Sequence, residues 1–137
     1  MWWIYALLSA VFAALTAIFA KIGIKGVDTD LATGIRTVVI LMLAWIIVFY
    51  KGSNHSIGSL TKQNWTFLIL SGCATGLSWI FYFKALQLGK VSQVAPVDKL
   101  SVAIAIVLSV VFLGEPLTLK SASGAALIIA GTLVLIF

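Results

Sequence analysis

Five stretches of this chain are each long and apolar enough to cross a bilayer, at residues 2–20, 31–50, 65–83, 92–113 and 117–137. A spanning helix needs about 20 mostly apolar residues, because each residue advances about 1.5 Å through a hydrocarbon core about 30 Å thick. The segments between them, KIGIKGVDTD, KGSNHSIGSLTKQN, KALQLGKV and GEP, are short and polar. No soluble domain, linker or low-complexity tail fits into them. The chain therefore reads as an all-α membrane protein, a five-helix transmembrane bundle in a single domain over residues 1–137.

Composition excludes the soluble alternative. Apolar residues make up 62% of the chain and charged residues 9%, with a mean hydropathy of +1.17. A water-soluble domain carries roughly 25% charged residues, and so few charges cannot cover this much apolar surface. The N-terminal MWWIYALLSAVFAALTAIFAK lacks the basic leader of a signal peptide and runs the length of a full span, so it is expected to be a retained helix. Cys73, the only cysteine, excludes an intrachain disulfide and is expected to be a small buried side chain. The net charge of +5 does not point to nucleic acid, because the basic residues flank spans and form no cluster interleaved with aromatics.

Helix ends carry their own signals. Asp28, Thr29 and Asp30 precede the second span, and Thr61 the third, each placed to accept from the first free amides. Trp2, Trp3 and Trp65 suit interfacial anchors. Glu115 and Pro116 are expected to close span four, with Pro116 in the first turn of span five. Small residues recur at helical spacing: Ala6, Ala10 and Ala14, with Ser9, Ala13 and Ala17 beside them; Gly72 and Gly76; Ser101, Ala105 and Ser109; Gly124 and Gly131. Apolar burial does not drive helices together in lipid, so such stripes read first as packing seams.

Five spans put the termini on opposite sides. Lys51, Lys62 and Lys120 then fall on one side, and Lys21, Lys25, Lys84 and Lys90 on the other. This near balance is a very weak positive-inside bias. It permits insertion both ways, with two copies pairing antiparallel as a homodimer; a fixed orientation set by other features is the alternative.

Charges inside the spans are the candidate functional residues. Asp98 and Lys99 stand at the front of residues 100–112, whose only polar members are Ser101 and Ser109. Counted from residue 92, they lie about 9 and 11 Å into the span. Insertion of such residues at a helix centre costs roughly 2.5–3.5 kcal/mol, less when a long side chain reaches the headgroups. Lys99 has that reach; Asp98 needs a partner, a proton or water. Adjacent helical residues point about 100° apart, so the two are expected not to face each other. Asp98 shares a polar stripe with Ser101, Ala105 and Ser109 and looks into the bundle or a wet cavity, while Lys99 shares a face with Val102, Ala103, Ile106 and Val110. Arg36 is a candidate partner for Asp98; Asp98 or Glu115 of a second copy is a candidate for Lys99. Pro96 leaves the Ser92 carbonyl without its usual amide donor, a local break that can line a site. Three readings stay open: a structural ion pair fixing register, a site for polar substrate or protons, and a shallow helix start with both charges at the interface.

Arg36 lies about one and a half turns into span two, with snorkelling to the surface as its competing fate. Trp79, Tyr82 and Lys84 cluster at the end of span three, as an aromatic belt or the wall of a substrate cavity. His55 reads as a solvated loop residue and Glu115 as an interfacial acid near Lys120. No nucleophile–base set, metal-spaced cluster or glycine-rich phosphate loop is present. The chain is thus expected to be no enzyme and to need no cofactor or metal.

SWIFYFKALQLGKVSQVAPVDKLSVAIAIVLSVVFLGEPLT, followed by SGAALIIAGTLVLIF, resembles the EamA-type domain of the drug/metabolite transporter superfamily. ALLSAVFAALTAIFAKIGIKGVDTDLATGIR is similar to the same domain's first helix pair. The resemblance implies ten helices built from two oppositely inserted five-helix halves around a cavity. This chain supplies one half, so it implies a partner, most simply a second copy related as an inverted repeat. It implies a multi-pass protein of a prokaryotic inner membrane that transports, and commonly exports, small metabolites or amphipathic compounds. Pro96, Asp98 and Ser101, with Trp79 and Tyr82, would line or gate the cavity, beside Lys99 and Arg36. Span one carries no acid, unlike the four-helix multidrug relatives, so their proton coupling does not transfer. The competing expectation is a non-transporting membrane subunit or flippase-type partner of another membrane complex.

Overall fold

A computed structural model describes residues 1–137. The elements are α1 (Trp2–Gly23), α2 (Thr29–Tyr50), a 3-10 segment (Ser53–Ser59), α3 (Lys62–Leu88), α4 (Val91–Asp98), α5 (Leu100–Leu113) and α6 (Leu119–Ile136), with no strand. They supply five candidate spans, α4 and α5 together making the fourth over Val91–Leu113. The five expected stretches are all recovered. α3 outruns its expected 65–83 bounds at both ends, reaching 27 residues, or about 40 Å. The segment KALQL continues the helix because alanine, leucine, lysine and glutamine are all strong helix formers.

The caps explain where each helix starts and stops. Asp28 Oδ1 accepts from the amides of Asp30 and Leu31, both at 3.0 Å, and opens α2. Thr61 Oγ1 accepts from Asn64 N at 3.2 Å and opens α3. α5 stops at Gly114, whose φ of 67° lies in the left-handed region that favours glycine. The amide of Glu115 then turns back to Ser109 O at 3.3 Å, supplying a donor to a carbonyl near the helix end. Thr118 caps α6 by accepting from Ser121 N at 3.1 Å. Pro116 therefore lies in the connector, not in the first turn of span five: a threonine hydroxyl two residues on satisfies an orphan amide, which proline's ring cannot do.

The chain divides into two compact units, residues 20–87 and residues 1–19 with 88–137. In the second of these, α6 packs against α4 and α5. Ala103 of α5 and Thr132 of α6 are buried, and Ile106, Val110, Ala125 and Ile128 are half-buried at helical spacing. In the unit of residues 20–87, the buried residues are Ala20, Ile24, Thr29, Thr33, Phe83 and Leu86, the last two at 0% exposure. Two polar pins fasten that core. Lys21 Nζ donates to the Leu86 carbonyl, one of the α3 C-terminal carbonyls that lacks a helical donor and favours a cation. Gln87 Nε2 donates to Val27 O at 3.1 Å.

Most remaining apolar side chains are uncovered, Leu127 and Phe112 at 73% and 78% among them. Lipid is the solvent such a surface fits. Several expected seams are also open. Ala6, Ala10, Ala14, Ser101 and Ala105 are exposed, and a Cβ added at Gly72, Gly76, Gly124 or Gly131 meets nothing within 4 Å. Cys73, expected to be buried, is exposed on α3. Ala17, on the second stripe of span one, is buried at 5% exposure, so that seam is closed at one position while the others stay open.

Candidate functional site

The fourth span is interrupted where its charges sit. Proline has no amide to donate and its ring crowds the preceding turn, and two residues after Pro96 the helix α4 ends. Lys99 joins α4 to α5 with φ −72° and ψ −10°. Its amide reaches both Ala95 O at 3.3 Å and Pro96 O at 3.1 Å, and Val102 N reaches back only to Lys99 O at 3.0 Å. The turn is thus tightened toward i→i−3 bonding. The Pro96 carbonyl gains a further donor from α6, because Thr132 Oγ1 lies 3.2 Å away. Thr132 is buried. A threonine carrying its own donor to a loosened backbone carbonyl is how irregular helix is satisfied at membrane depth.

Asp98 and Lys99 pair with each other. Lys99 Nζ lies 3.1 Å from Asp98 Oδ2, with side-chain exposures of 57% and 34%. This corrects the expectation that adjacent positions keep them apart. The 100° offset holds for Cβ directions in a continuous helix; the lysine stem is long and the helix is not continuous there. Each charge thus has its neighbour as a counter-ion. The stripe assignment also changes. The face of α5 that packs carries Ala103, Ile106 and Val110, the one assigned to Lys99, while Ser101 and Ala105 are exposed. Ser109 is half-buried and donates to Ile106 O at 2.9 Å. Ser101 therefore does not look into the packed interior of its unit, while Asp98 is half-buried.

A second charged locus belongs to residues 20–87. Arg36 Cζ lies 5.1 Å from the Trp79 ring centroid and 4.3 Å from that of Phe83. Trp79 and Phe83 are four residues apart, so both rings face the same way from α3. Being weakly hydrated and planar, the guanidinium rests against the two rings. Tyr82 is within electrostatic reach of the same group, and its ring centroid is 6.0 Å from that of Phe83. Thr33 and Thr37, on the Arg36 segment of α2, spend their hydroxyls on the Thr29 and Thr33 carbonyls at 2.8 Å each. Two ring contacts contribute about 1–2 kcal/mol toward holding the cation, which offsets part of the cost of placing it within a span.

The candidate residues therefore gather at two places. Arg36 lies against Trp79 and Phe83, with the Tyr82 ring beside Phe83; Pro96, Asp98 and Lys99 meet at the break, with Ser101 exposed one turn on. Sequence reasoning missed Phe83 and Thr132. Phe83 could have been found as the residue one turn after Trp79. Thr132 had no signal, because its role depends on which helix α6 packs against. Neither locus holds a nucleophile beside a base, and no group of three or more His, Cys, Asp or Glu is placed to hold a metal ion. What both offer is charge and hydrogen bonding inside lipid-spanning segments.

Comparison with known proteins bears on what that is for. The EamA-like transporter family matches residues 1–137. A protein of Sinorhizobium sp., described as an uncharacterized transporter in the region 3′ of cobO, is 50% identical over 134 residues, covering 98% of this chain and 95% of its own. An uncharacterized protein of Methanocaldococcus jannaschii is 32% identical over 132 residues, covering 96% and 93%. No solved structure matches.

Proposed function

Because this chain belongs to the EamA-like transporter family, we propose that it is a secondary transporter of small metabolites or amphipathic compounds, working as an antiparallel homodimer by alternating access. The observation that carries this reading is the interrupted fourth span. An ion pair and a tethered proline carbonyl within a lipid-spanning segment are costly unless they serve a polar passage. A break of this kind also gives a span somewhere to bend as access alternates.

Three facts support two oppositely inserted copies. The relatives are covered to 95% and 93% of their length, so they too are of about one five-span unit. The lysines at span ends stand at three against four. The glycine and alanine stripes on α1 and α3 are open in the single chain, ready for a second copy to close. A bacterial and an archaeal relative fit residence in a prokaryotic cytoplasmic membrane, and the direction we propose is export.

The test is flux in proteoliposomes loaded with a panel of organic acids, amino acids and amphipathic amines. Wild type is expected to move at least one of them, and Asp98→Asn to slow that flux about tenfold, the effect of losing about 1.4 kcal/mol of charge-assisted contact. Unchanged flux in Asp98→Asn would remove the ion pair from the mechanism. A folded wild type that moves nothing would favour the non-transporting subunit or flippase-type partner instead.

A further inference from the structure

We propose that Arg36, Trp79 and Tyr82 form a recognition site for a monoanionic carboxylate carried on an apolar, preferentially aromatic, body. This deepens the transport reading and rests on it for its purpose, although the binding it describes stands by itself.

The charge balance within the spans leads to this class of ligand. Asp98 and Lys99 neutralise one another at 3.1 Å. Arg36 has only aromatic faces against it. The acids of its own unit are Asp28 and Asp30, and Asp28 is committed to the amides that open α2. Six residues separate Asp30 from Arg36, about 9 Å along the helix, which is beyond an ion pair. A guanidinium within a span, with no carboxylate of its own unit beside it, attracts an anion from outside that unit.

Shape narrows the choice. Trp79 and Phe83 lie against the guanidinium, 5.1 and 4.3 Å from Cζ to the ring centroids, and its five N–H donors fan out in one plane, more than two rings can occupy. Edge-on donors at fixed spacing match the two oxygens of a carboxylate. A single positive charge suits a single negative one, which disfavours phosphate dianions and organic cations alike. Arg36 and Trp79 are half-buried and Phe83 is fully buried. Trp79 therefore offers the accessible aromatic surface for the body of the ligand, while Phe83 backs the cation. Tyr82, also half-buried, adds a phenolic hydroxyl that can donate to the same anion.

Three probes that share one ring separate charge from shape: benzoate, benzylamine and benzyl alcohol, titrated calorimetrically into the full chain in lipid nanodiscs near neutral pH. Benzoate is expected to bind about tenfold or more tighter than benzyl alcohol, with benzylamine weaker still. Arg36→Gln is expected to abolish that preference, and Tyr82→Phe to reduce it several-fold. If Arg36→Gln loses its helical circular dichroism, Arg36→Lys serves in its place; it retains the charge without the two-pronged edge and is expected to weaken benzoate about tenfold. Equal affinities for the three probes, or undiminished benzoate binding in the folded Arg36 variant, would overturn the proposal. Flux keeps the two readings apart. Benzoate binding that depends on Arg36, with no solute moved, leaves the site standing and sinks transport. Transport of amines, with no benzoate bound, does the reverse.

Discussion

Lys99 reaches back to Asp98 because its four-carbon stem can swing where the backbone turns at the end of α4. The pairing has an asymmetric consequence. An unpaired lysine can move its ammonium toward the headgroups, whereas an unpaired aspartate has no such reach. Lys99→Met is therefore expected to destabilise the chain by about 2–3 kcal/mol and Asp98→Asn by about 1 kcal/mol. The double variant is expected to recover most of the Lys99→Met loss. Thermal unfolding in nanodiscs compares the three, and equal losses from both single variants with no recovery in the double would contradict the pair. At this scale the sequence made the charges and their place along the fourth span legible, since a charged residue among leucines and valines stands out. It did not make the partner legible, because Cβ directions say little about where a long flexible side chain ends. Arg36 shows the same limit: its position was plain, but its rest against Trp79 and Phe83 depended on a helix some forty residues on.

Helices and their joints were more readable. All five spans follow from apolar length alone, and Asp28 and Thr61 cap as threonine and aspartate do before an apolar run. The exceptions have local causes. Pro116 looked like a helix start, but Thr118 holds the better acceptor, and α3 ran through KALQL because helix propensity continues where hydropathy falls. The break in span four was foreshadowed by Pro96, while its tether from Thr132 was not, since α6 supplies it across tertiary space. Thr132→Val keeps the side-chain volume and removes the donor; a loss of about 1 kcal/mol is expected in the same unfolding assay, together with faster amide exchange at Lys99 and Leu100. Unchanged exchange there would mean that the break holds without α6. Gly114→Ala tests the joint that follows. Its Cβ would meet nothing within 4 Å, so the expected loss of about 1 kcal/mol comes from the positive φ alone; a neutral result would mean that the turn reshapes freely.

At the scale of the whole molecule, composition decided the environment before any motif was weighed, and the structure's uncovered leucines, isoleucines and phenylalanines belong to lipid. What composition leaves to experiment is how many copies meet and in which orientations. The near balance of Lys51, Lys62 and Lys120 against Lys21, Lys25, Lys84 and Lys90 puts little preference on either insertion, and the open stripes give a second copy somewhere to pack. Site-directed labelling tests this most directly. In a Cys73→Ala background, His55→Cys places one thiol on the exposed 3-10 segment between α2 and α3. A membrane-impermeant maleimide is then applied first from outside and then from both sides of the membrane. Two oppositely inserted copies require that about half the thiols react from outside and the rest only after the inner face is opened; complete labelling from a single side would contradict the antiparallel pair.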